Sequence, residues 1–168
     1  MTGFPPGTVI GMTHIADAVA GQAQSDLGTA ITDAAGRANV GGTKEGDIGG
    51  TNIGPGVYNT ASTPSLEITS GDLTLDASND PNALFIFRIA STLTINSGRQ
   101  IFLTNGARAE CIFWQVGSSA TLGTASVFKG TIMANQSITM TTGATLVEGR
   151  ALARNAAVTL DSNIVTVP

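Results

Sequence analysis

The amino-acid sequence predicts a mainly β fold, a β-solenoid with one long α-helix at its side. Two patterns carry this prediction. Before residue 40, apolar residues recur at intervals of three and four positions. Over the last eighty residues, short segments rich in β-branched residues recur with a period near 20. Composition agrees with it: aromatic residues make up only 5 % of the chain and charged residues 12 %, so aliphatic residues and alanine must build the core.

The helix is predicted from Thr13 to about Arg37. Apolar residues such as Leu27 and Ile31 recur at helical spacing in this segment. Thr13 is the predicted N-cap, because its hydroxyl can accept a hydrogen bond from a free backbone N–H, and Gly36 is a typical helix end. The apolar stripe is narrow and rich in alanine, which suits close packing along a flat sheet.

The second half of the chain divides into coils at 85–110, 111–130, 131–149 and 150–168, and the last three contain 20, 19 and 19 residues. A period near 20 with strand-like segments is typical of a solenoid. We therefore expect a single domain over residues 1–168, with the helix at about 13–37 and the coils at about 47–168.

Aligning the coils predicts which residues stack. The segment 93–95 aligns with 120–122, 138–140 and 158–160, with apolar residues at both outer positions. The middle position is threonine in every coil: Thr94, Thr121, Thr139 and Thr159. A further apolar column is predicted at Ile101, Phe128, Leu146 and Ile164. This alternation predicts strands with one face in the core and a ladder of threonines outside.

Small residues follow each of these strands. Ser97-Gly98-Arg99 aligns with Thr124-Ala125-Ser126, with Thr142-Gly143-Ala144-Thr145 and with Ser162-Asn163. The chain contains 23 Thr and 12 Ser in all, so both the ladder and this corner set predict a flat, hydroxyl-rich surface. A purely structural interpretation stays open, because threonine favours strands and small residues suit tight corners.

The sequence does not favour an enzyme, a metal protein or a cofactor-dependent protein. His14 is the only histidine and Cys111 the only cysteine, which excludes zinc spacing and an internal disulfide, and no serine or cysteine motif accompanies the histidine. Asp72, Asp76 and Asp80 are better explained as turn residues than as a calcium site. We expect no catalytic residues, no metal and no cofactor.

Net charge and hydropathy argue against two classes of binding partner, nucleic acid and the membrane interior. The net charge of -4 argues against nucleic acid, since nucleic-acid binding needs a basic stripe. No apolar stretch approaches the ~20 residues of a membrane span, so we expect no membrane insertion.

The chain contains several motifs in a fixed order. They are Thr2-Gly3-Phe4-Pro5-Pro6-Gly7, Asp33-Ala34-Ala35-Gly36-Arg37, Asp47-Ile48-Gly49-Gly50, Pro55-Gly56-Val57-Tyr58, Leu73-Thr74-Leu75-Asp76, Phe85-Ile86-Phe87, the segment 112–124, Gly149-Arg150-Ala151-Leu152-Ala153-Arg154 and Val158-Thr159-Leu160-Asp161. Together these motifs cover nearly the whole chain. With them, the chain resembles the microbial family of β-helical ice-binding proteins of polar bacteria, yeasts, fungi and diatoms.

The resemblance implies a right-handed β-helix of triangular section with the α-helix packed along its side. It also implies an antifreeze function: adsorption to ice through a flat face, which slows ice growth and inhibits recrystallisation, in a secreted protein. The other hypothesis is a structural or adhesive solenoid that binds a glycan or another surface.

The resemblance also implies a pattern on the ice face, Thr-(Ala/Gly)-X-(Thr/Asn). Residues 142–145 match it fully and residues 124–127 match it except at the last position. The coils at Ser97 and Ser162 match loosely, and Arg99 departs from it as a long cation beside small residues. The predicted ice contacts are thus the threonine ladder together with the corner set.

Relatives in this family usually carry a stretch upstream of the Gly-Phe-Pro-Pro-Gly segment, and here Met1 indicates an introduced or alternative start. We expect a monomer that can self-associate at this end through exposed strand edges.

Overall fold

A computed structural model of the chain describes residues 7–60 and 62–167. The first six residues, which hold the Thr2 to Pro6 part of the opening motif, lie outside the described residues, as do Ala61 and Pro168. The described residues form one α-helix, α1 (Ala18–Gly36), one short 3-10 helix (Ala109–Cys111) and sixteen strands.

All of the strand pairs are parallel, and successive strands visit three faces in turn, which makes the fold a right-handed β-helix. The first face, the helix face, contains β1 (Gly42–Thr43), β4 (Gly56–Asn59), β7 (Phe85–Ile89) and β10 (Ile112–Val116). The second, the threonine face, contains β2 (Gly46–Asp47), β5 (Leu66–Ile68), β8 (Leu93–Ile95), β11 (Ala120–Leu122), β13 (Ile138–Met140) and β15 (Val158–Leu160). The third face contains β3 (Asn52–Ile53), β6 (Leu73–Asp76) and β9 (Ile101–Thr104). At its far end lies β16 (Ile164–Val165), which pairs with the first residues of β14.

Two longer strands, β12 (Val127–Ala134) and β14 (Thr145–Ala153), turn a corner between faces. Their first residues continue the third face through the bridge between Gln100 and Val127, and their last residues continue the helix face. The pairing of β12 with β14 shifts register between Lys129 and Thr131, where the chain bends. The first coil begins at β1, earlier than the predicted residue 47.

The interior is a continuous aliphatic core with a column of aromatic rings. Tyr58, Phe87 and Trp114 lie one above another, with centroids 5.3 and 4.1 Å apart, and Phe128 packs at a tilt 5.2 Å beyond Trp114. Register explains the column, because Tyr58 pairs with Phe87 and Phe87 with Trp114 across adjacent strands. Equivalent side chains therefore stack inside, as the coil alignment predicted.

Helix α1 covers the outer surface of the helix face. Leu27 and Ala34 are buried against Val57, Ile86 and Met133, which point outward from successive strands. The Gln24 side chain donates a hydrogen bond to the Ala153 carbonyl of the last coil (3.4 Å), whereas Arg88 of β7 donates to the Arg37 carbonyl beyond the helix end. The helix thus runs from the last coil towards the first.

The predicted start of the helix was wrong. Asp17, not Thr13, is the N-cap, and its carboxylate accepts a hydrogen bond from the Ala20 amide at 2.8 Å. Ala16 has a φ of 52°, a left-handed conformation that separates Thr13 from the helix. His14 contacts the capping carboxylate at 2.8 Å. The helix end at Gly36 agrees with the prediction.

Candidate functional site

The threonine face carries a ladder of threonines in consecutive rungs. Thr94 pairs in register with Thr121, Thr121 with Thr139, and Thr139 with Thr159. The residues on either side of Thr94, Thr121 and Thr139 are buried in the core; Leu93 and Ile95, for example, are each 1 % exposed. The threonines therefore project outward, about 4.8 Å apart from rung to rung.

A further hydroxyl column flanks the ladder, and the sequence interpretation missed it. The column before it contains Ser65, Thr92, Ser119, Ser137 and Ala157, as the backbone hydrogen bonds between rungs show. Its hydroxyls bond one another: Ser65 Oγ lies 2.8 Å from Thr92 Oγ1, and Ser137 Oγ 3.0 Å from Ser119 Oγ. The column lies two residues before each threonine, a spacing that places both on the same side of a strand.

The corner after the ladder is built on left-handed residues. Gly98, Ala125, Gly143 and Ser162 occupy equivalent positions and have φ values of 71°, 54°, 70° and 55°. Thr124 and Thr142 precede two of these residues and are exposed. The Thr124 hydroxyl lies 3.3 Å from the Thr141 hydroxyl. Ladder and corner set thus form one surface.

Two predicted contact residues leave this surface. Ser126 and Ala144, which follow the left-handed residues, are 0 % exposed because the corner directs their side chains inward. The Ser126 hydroxyl has no hydrogen-bond partner there. We therefore correct the predicted corner set by removing these two residues.

The last coil is one residue shorter than the alignment assumed. The Gly143 amide donates a hydrogen bond to the Asp161 carbonyl, just as the Ala125 amide donates one to the Thr142 carbonyl. Asp161, and not Ser162, therefore occupies the position that Thr124 and Thr142 hold in the earlier coils. The Thr142 hydroxyl donates to the Asp161 carboxylate. For the same reason Val165, not Ile164, pairs with Leu146 and completes the inner column.

Two more predicted residues, Asn163 and Thr145, differ in their placement. Asn163 follows the corner and is half-buried, because its amide donates to the carbonyls of Thr141 (2.8 Å) and Ala144 (2.9 Å). Thr145 begins β14 on the third face and donates to the Ser126 carbonyl at 3.3 Å. Ser97, Gly98 and Ala125 are exposed at the edge of the threonine face.

Acidic residues bound the ladder at the first coils. Glu67 is the register partner of Thr94, and Asp47 is that of Glu67. Although burial on its own would raise the pKa of Asp47, hydrogen bonds from Thr69, Ser70 and Gly49 outweigh it and hold this pKa well below its usual range. Acidic side chains thus take the place of threonine in the two rungs before Thr94.

The long cation at Arg99 is directed away from the ladder. Its guanidinium lies 3.8 Å from Asp72, which also accepts a hydrogen bond from the Gln100 amide at 2.9 Å. Asp76 accepts from the Ser78 amide and Asp80 from the Asn82 amide, so both have the predicted turn role. The described residues contain no group of three or more acidic, histidine or cysteine side chains placed to hold a metal ion.

The other two faces differ from the threonine face. Helix α1 covers the helix face. On the third face, register partners differ in chemical type from rung to rung. Thr74 pairs with Phe102, and Lys129 pairs with Val147. Within the described residues, no helix is both long enough and apolar enough to cross a bilayer.

Comparisons with known proteins agree with this architecture. The model of the ice-binding-like family matches residues 1–166. An ice-binding protein of Nostoc sp. (strain HG1) is 49 % identical over 165 residues, which are 98 % of this chain and 60 % of that protein. One of Colwellia sp is 38 % identical over 148 residues, or 87 % of this chain and 56 % of the relative. The chain thus spans little more than half the length of these relatives.

Solved structures show the same fold. An ice-binding protein from an Antarctic biological consortium superposes with a TM-score of 0.92 at 53 % identity, over 97 % of this chain and 73 % of that one. The ice-binding protein of the ascomycete Antarctomyces psychrotrophicus gives 0.91 at 42 % identity, over 99 % and 80 %. By its sequence and by its fold, this chain belongs to the ice-binding-like family.

Proposed function

We propose that this chain is an antifreeze protein that adsorbs to ice through its threonine face, slowing ice growth and inhibiting recrystallisation. The observation that carries the proposal is the register of Thr94, Thr121, Thr139 and Thr159 in four consecutive rungs. Ice presents a repeating array of water molecules, so its ligand must repeat as well.

Threonine suits such a surface for physical reasons. Its β-branched side chain is restricted at χ1, so a ladder of threonines loses little conformational entropy when it docks. Each residue also offers one hydroxyl and one methyl group, and water ordered between the methyls can bridge to a lattice. Hydrogen bonds within the flanking column, such as the one from Ser137 to Ser119, restrict those hydroxyls further.

The proposed contact surface comprises the ladder with the exposed part of the corner. It contains Thr94, Thr121, Thr139, Thr159, Ser97, Gly98, Thr124, Ala125, Thr142 and Gly143. Ser162 lies at its far edge, while Asn163 and Thr145 support the corner beneath it. Ser119 and Ser137 extend the surface on the other side.

Partition into growing ice and microscopy of ice crystals test this proposal. We expect the protein to enter ice and to shape crystals, and Thr121→Tyr to lose most of both activities because a bulky ring interrupts the ladder. The matched control is Thr74→Tyr on the third face, which should retain both. An unshaped crystal with the folded wild-type protein, or equal losses in the two variants, would refute the assignment.

Glycan adhesion by the same face is the competing hypothesis. The relatives and solved structures named above are called ice-binding proteins, which supports ice as the ligand. Binding to a glycan array without partition into ice would reverse this choice.

We also propose that the protein is secreted, that it acts by adsorption and not by catalysis, and that it binds neither nucleic acid nor a membrane interior. Secretion follows from the family resemblance. The net charge of -4 opposes nucleic-acid binding, because a polyanion repels an acidic protein.

A further inference from the structure

A side-chain link joins two neighbouring rungs of the third face. Asn105 follows β9, and its amide nitrogen donates a hydrogen bond to each carboxylate oxygen of Asp76, the last residue of β6 (both 2.9 Å). Hydrogen bonds from the Ser78 amide and from Asn105 hold the pKa of Asp76 below its usual range. The link therefore pairs an ionised carboxylate with an amide donor.

Asn105 is also the only asparagine of the sequence that precedes a glycine. In such a pair, the backbone nitrogen of the glycine can attack the side-chain carbonyl carbon of the asparagine, and glycine hinders this attack least because it has no Cβ atom. The new C–N bond closes a succinimide ring, and the side-chain nitrogen leaves as ammonia. Water then opens the ring to aspartate or isoaspartate. Water is the only other reactant, so this deamidation needs no enzyme.

The turn that contains Asn105 leaves the attacking nitrogen available. The Ala107 amide closes this turn by donating to the Thr104 carbonyl at 3.1 Å. Among the residues that the structure describes, none accepts a hydrogen bond from the Gly106 amide. Asn105 is exposed, so its side chain can turn from Asp76 towards Gly106 without displacing the core.

Asn79 provides a natural comparison one coil earlier. Its amide donates to the Asn105 carbonyl at 2.9 Å, so the two asparagines stack, and both are exposed with left-handed φ values of 63° and 49°. The residue after Asn79, however, is Asp80, and its amide closes the turn by donating to the Ala77 carbonyl at 2.9 Å. Attack on Asn79 would therefore break a hydrogen bond and would have to pass a side chain.

We propose that Asn105 is a deamidation site of the folded protein and that Asp76 slows the reaction by holding the amide. The nitrogen that Asp76 holds is the one that must leave, and Asn105 must release both hydrogen bonds before Gly106 can attack. These bonds therefore lower the rate. They do not prevent the reaction, because Asn105 is exposed and water can replace them.

Deamidation would turn the link into a repulsion. The product carries a second carboxylate beside Asp76 where the amide donor stood, and two like charges in one site destabilise each other. Isoaspartate also lengthens the backbone of the turn by a methylene group. The contact between β6 and β9 should weaken, whereas the threonine ladder on the other face keeps its covalent structure.

Peptide mapping by mass spectrometry tests the proposal. The full chain is incubated in mildly alkaline buffer, and the deamidated fraction at each asparagine is followed with time. Asn105 should convert faster than Asn79 by roughly fivefold or more, since the hydrogen bond of the Asp80 amide alone accounts for such a factor. An equal rate at the two asparagines overturns the proposal, as does an unchanged Asn105 in folded protein whose urea-unfolded form converts.

A substitution tests the holding role of Asp76. Asp76→Ala should accelerate conversion at Asn105 severalfold, with circular dichroism verifying its fold. The matched control is Asp72→Ala, at an acid of the same strand region that bonds the Gln100 amide instead, and it should leave the rate unchanged. Equal rates in Asp76→Ala and wild type refute the holding role.

The product variant covers the case in which Asp76→Ala fails to fold. Asn105→Asp should lower the midpoint of thermal unfolding at neutral pH, because it places the second carboxylate beside Asp76. Asn79→Asp, at the stacked position of the previous coil, should lower it less, because the side-chain amide bonded to Asp76 there is that of Asn105. Equal midpoints in the two variants would contradict the link on which the proposal depends.

Discussion

Glu67 lies directly beside Thr94 on the threonine face, as its partner in the parallel register of β5 and β8. Its exposed carboxylate ends the ladder one rung below Thr94 and holds its own hydration water there. Replacing it should therefore enlarge the flat surface. We predict that Glu67→Thr increases the freezing-point depression measured at equal protein concentration, because a fifth threonine joins the four. Glu110→Thr, at another exposed acid, is the control, and an equal gain in both variants would contradict the explanation.

Ser126 offers a test of the corner geometry. Its hydroxyl is fully buried and has no hydrogen-bond partner. Removing a buried polar group that lacks a partner relieves a desolvation cost, so Ser126→Ala should raise the free energy of unfolding by about 1 kcal/mol. Activity on ice should not change, because the side chain lies beneath the surface. Urea unfolding measures the first effect, and a loss of ice activity would return Ser126 to the contact surface.

Asp47 should make stability depend on pH. Hydrogen bonds from backbone amides hold its folded pKa below the ordinary value of 3.8, so its carboxylate stabilises the fold above that pH and loses the effect as the pH falls towards the folded pKa. Asp47→Asn keeps one acceptor oxygen but loses the charge. At neutral pH it should lower the free energy of unfolding by about 1 kcal/mol, after allowance for solvent screening. The gap between variant and wild type should narrow below pH 3.8. A gap independent of pH would contradict this account.

Gly117 and Gly21 form a matched pair for backbone packing. A Cβ atom at Gly117 would lie 2.2 Å from the Ala90 carbonyl oxygen of the neighbouring coil, whereas one at Gly21 in α1 meets nothing within 4 Å. Gly117→Ala should destabilise the fold by about 2 kcal/mol or more, because the backbone of one coil must move. Gly21→Ala should stabilise it by about 0.5–1 kcal/mol, since alanine favours helices. Thermal unfolding measures both changes, and a tolerated Gly117→Ala would mean that the coils are more loosely stacked.

The ladder could be predicted from sequence because each of its strands has an apolar-Thr-apolar pattern. Only one register of these strands places both apolar columns inside and the threonine column outside. The corner could not be predicted to the same depth. Whether a side chain there points inward depends on the φ of the residue before it, and Ala125 adopts a positive φ that alanine rarely takes.

Two other differences have equally local causes. The sequence alignment of the last coil was wrong by one residue because Ser162 resembles the small residues at 97 and 142. This coil has one residue fewer than its neighbours, and the deletion lies just before Asp161. The helix was started too early because Ile15 continues the apolar spacing of α1, and only the left-handed Ala16 interrupts it. The burial of the helix face under α1, in contrast, follows from the narrow apolar stripe that the sequence displays.

The length of α1 limits how far such a solenoid can grow. Its 19 residues span about 28 Å, while the six rungs of the helix face extend over about 24 Å from first to last. Each inserted coil would lengthen that face by a further ~4.8 Å, and about three more helical residues would be needed to keep its outward apolar side chains covered. The length of α1 therefore has to match the number of coils. Designers who wish to add threonine rungs must extend both elements together, and the same arithmetic would constrain natural variation in the number of coils.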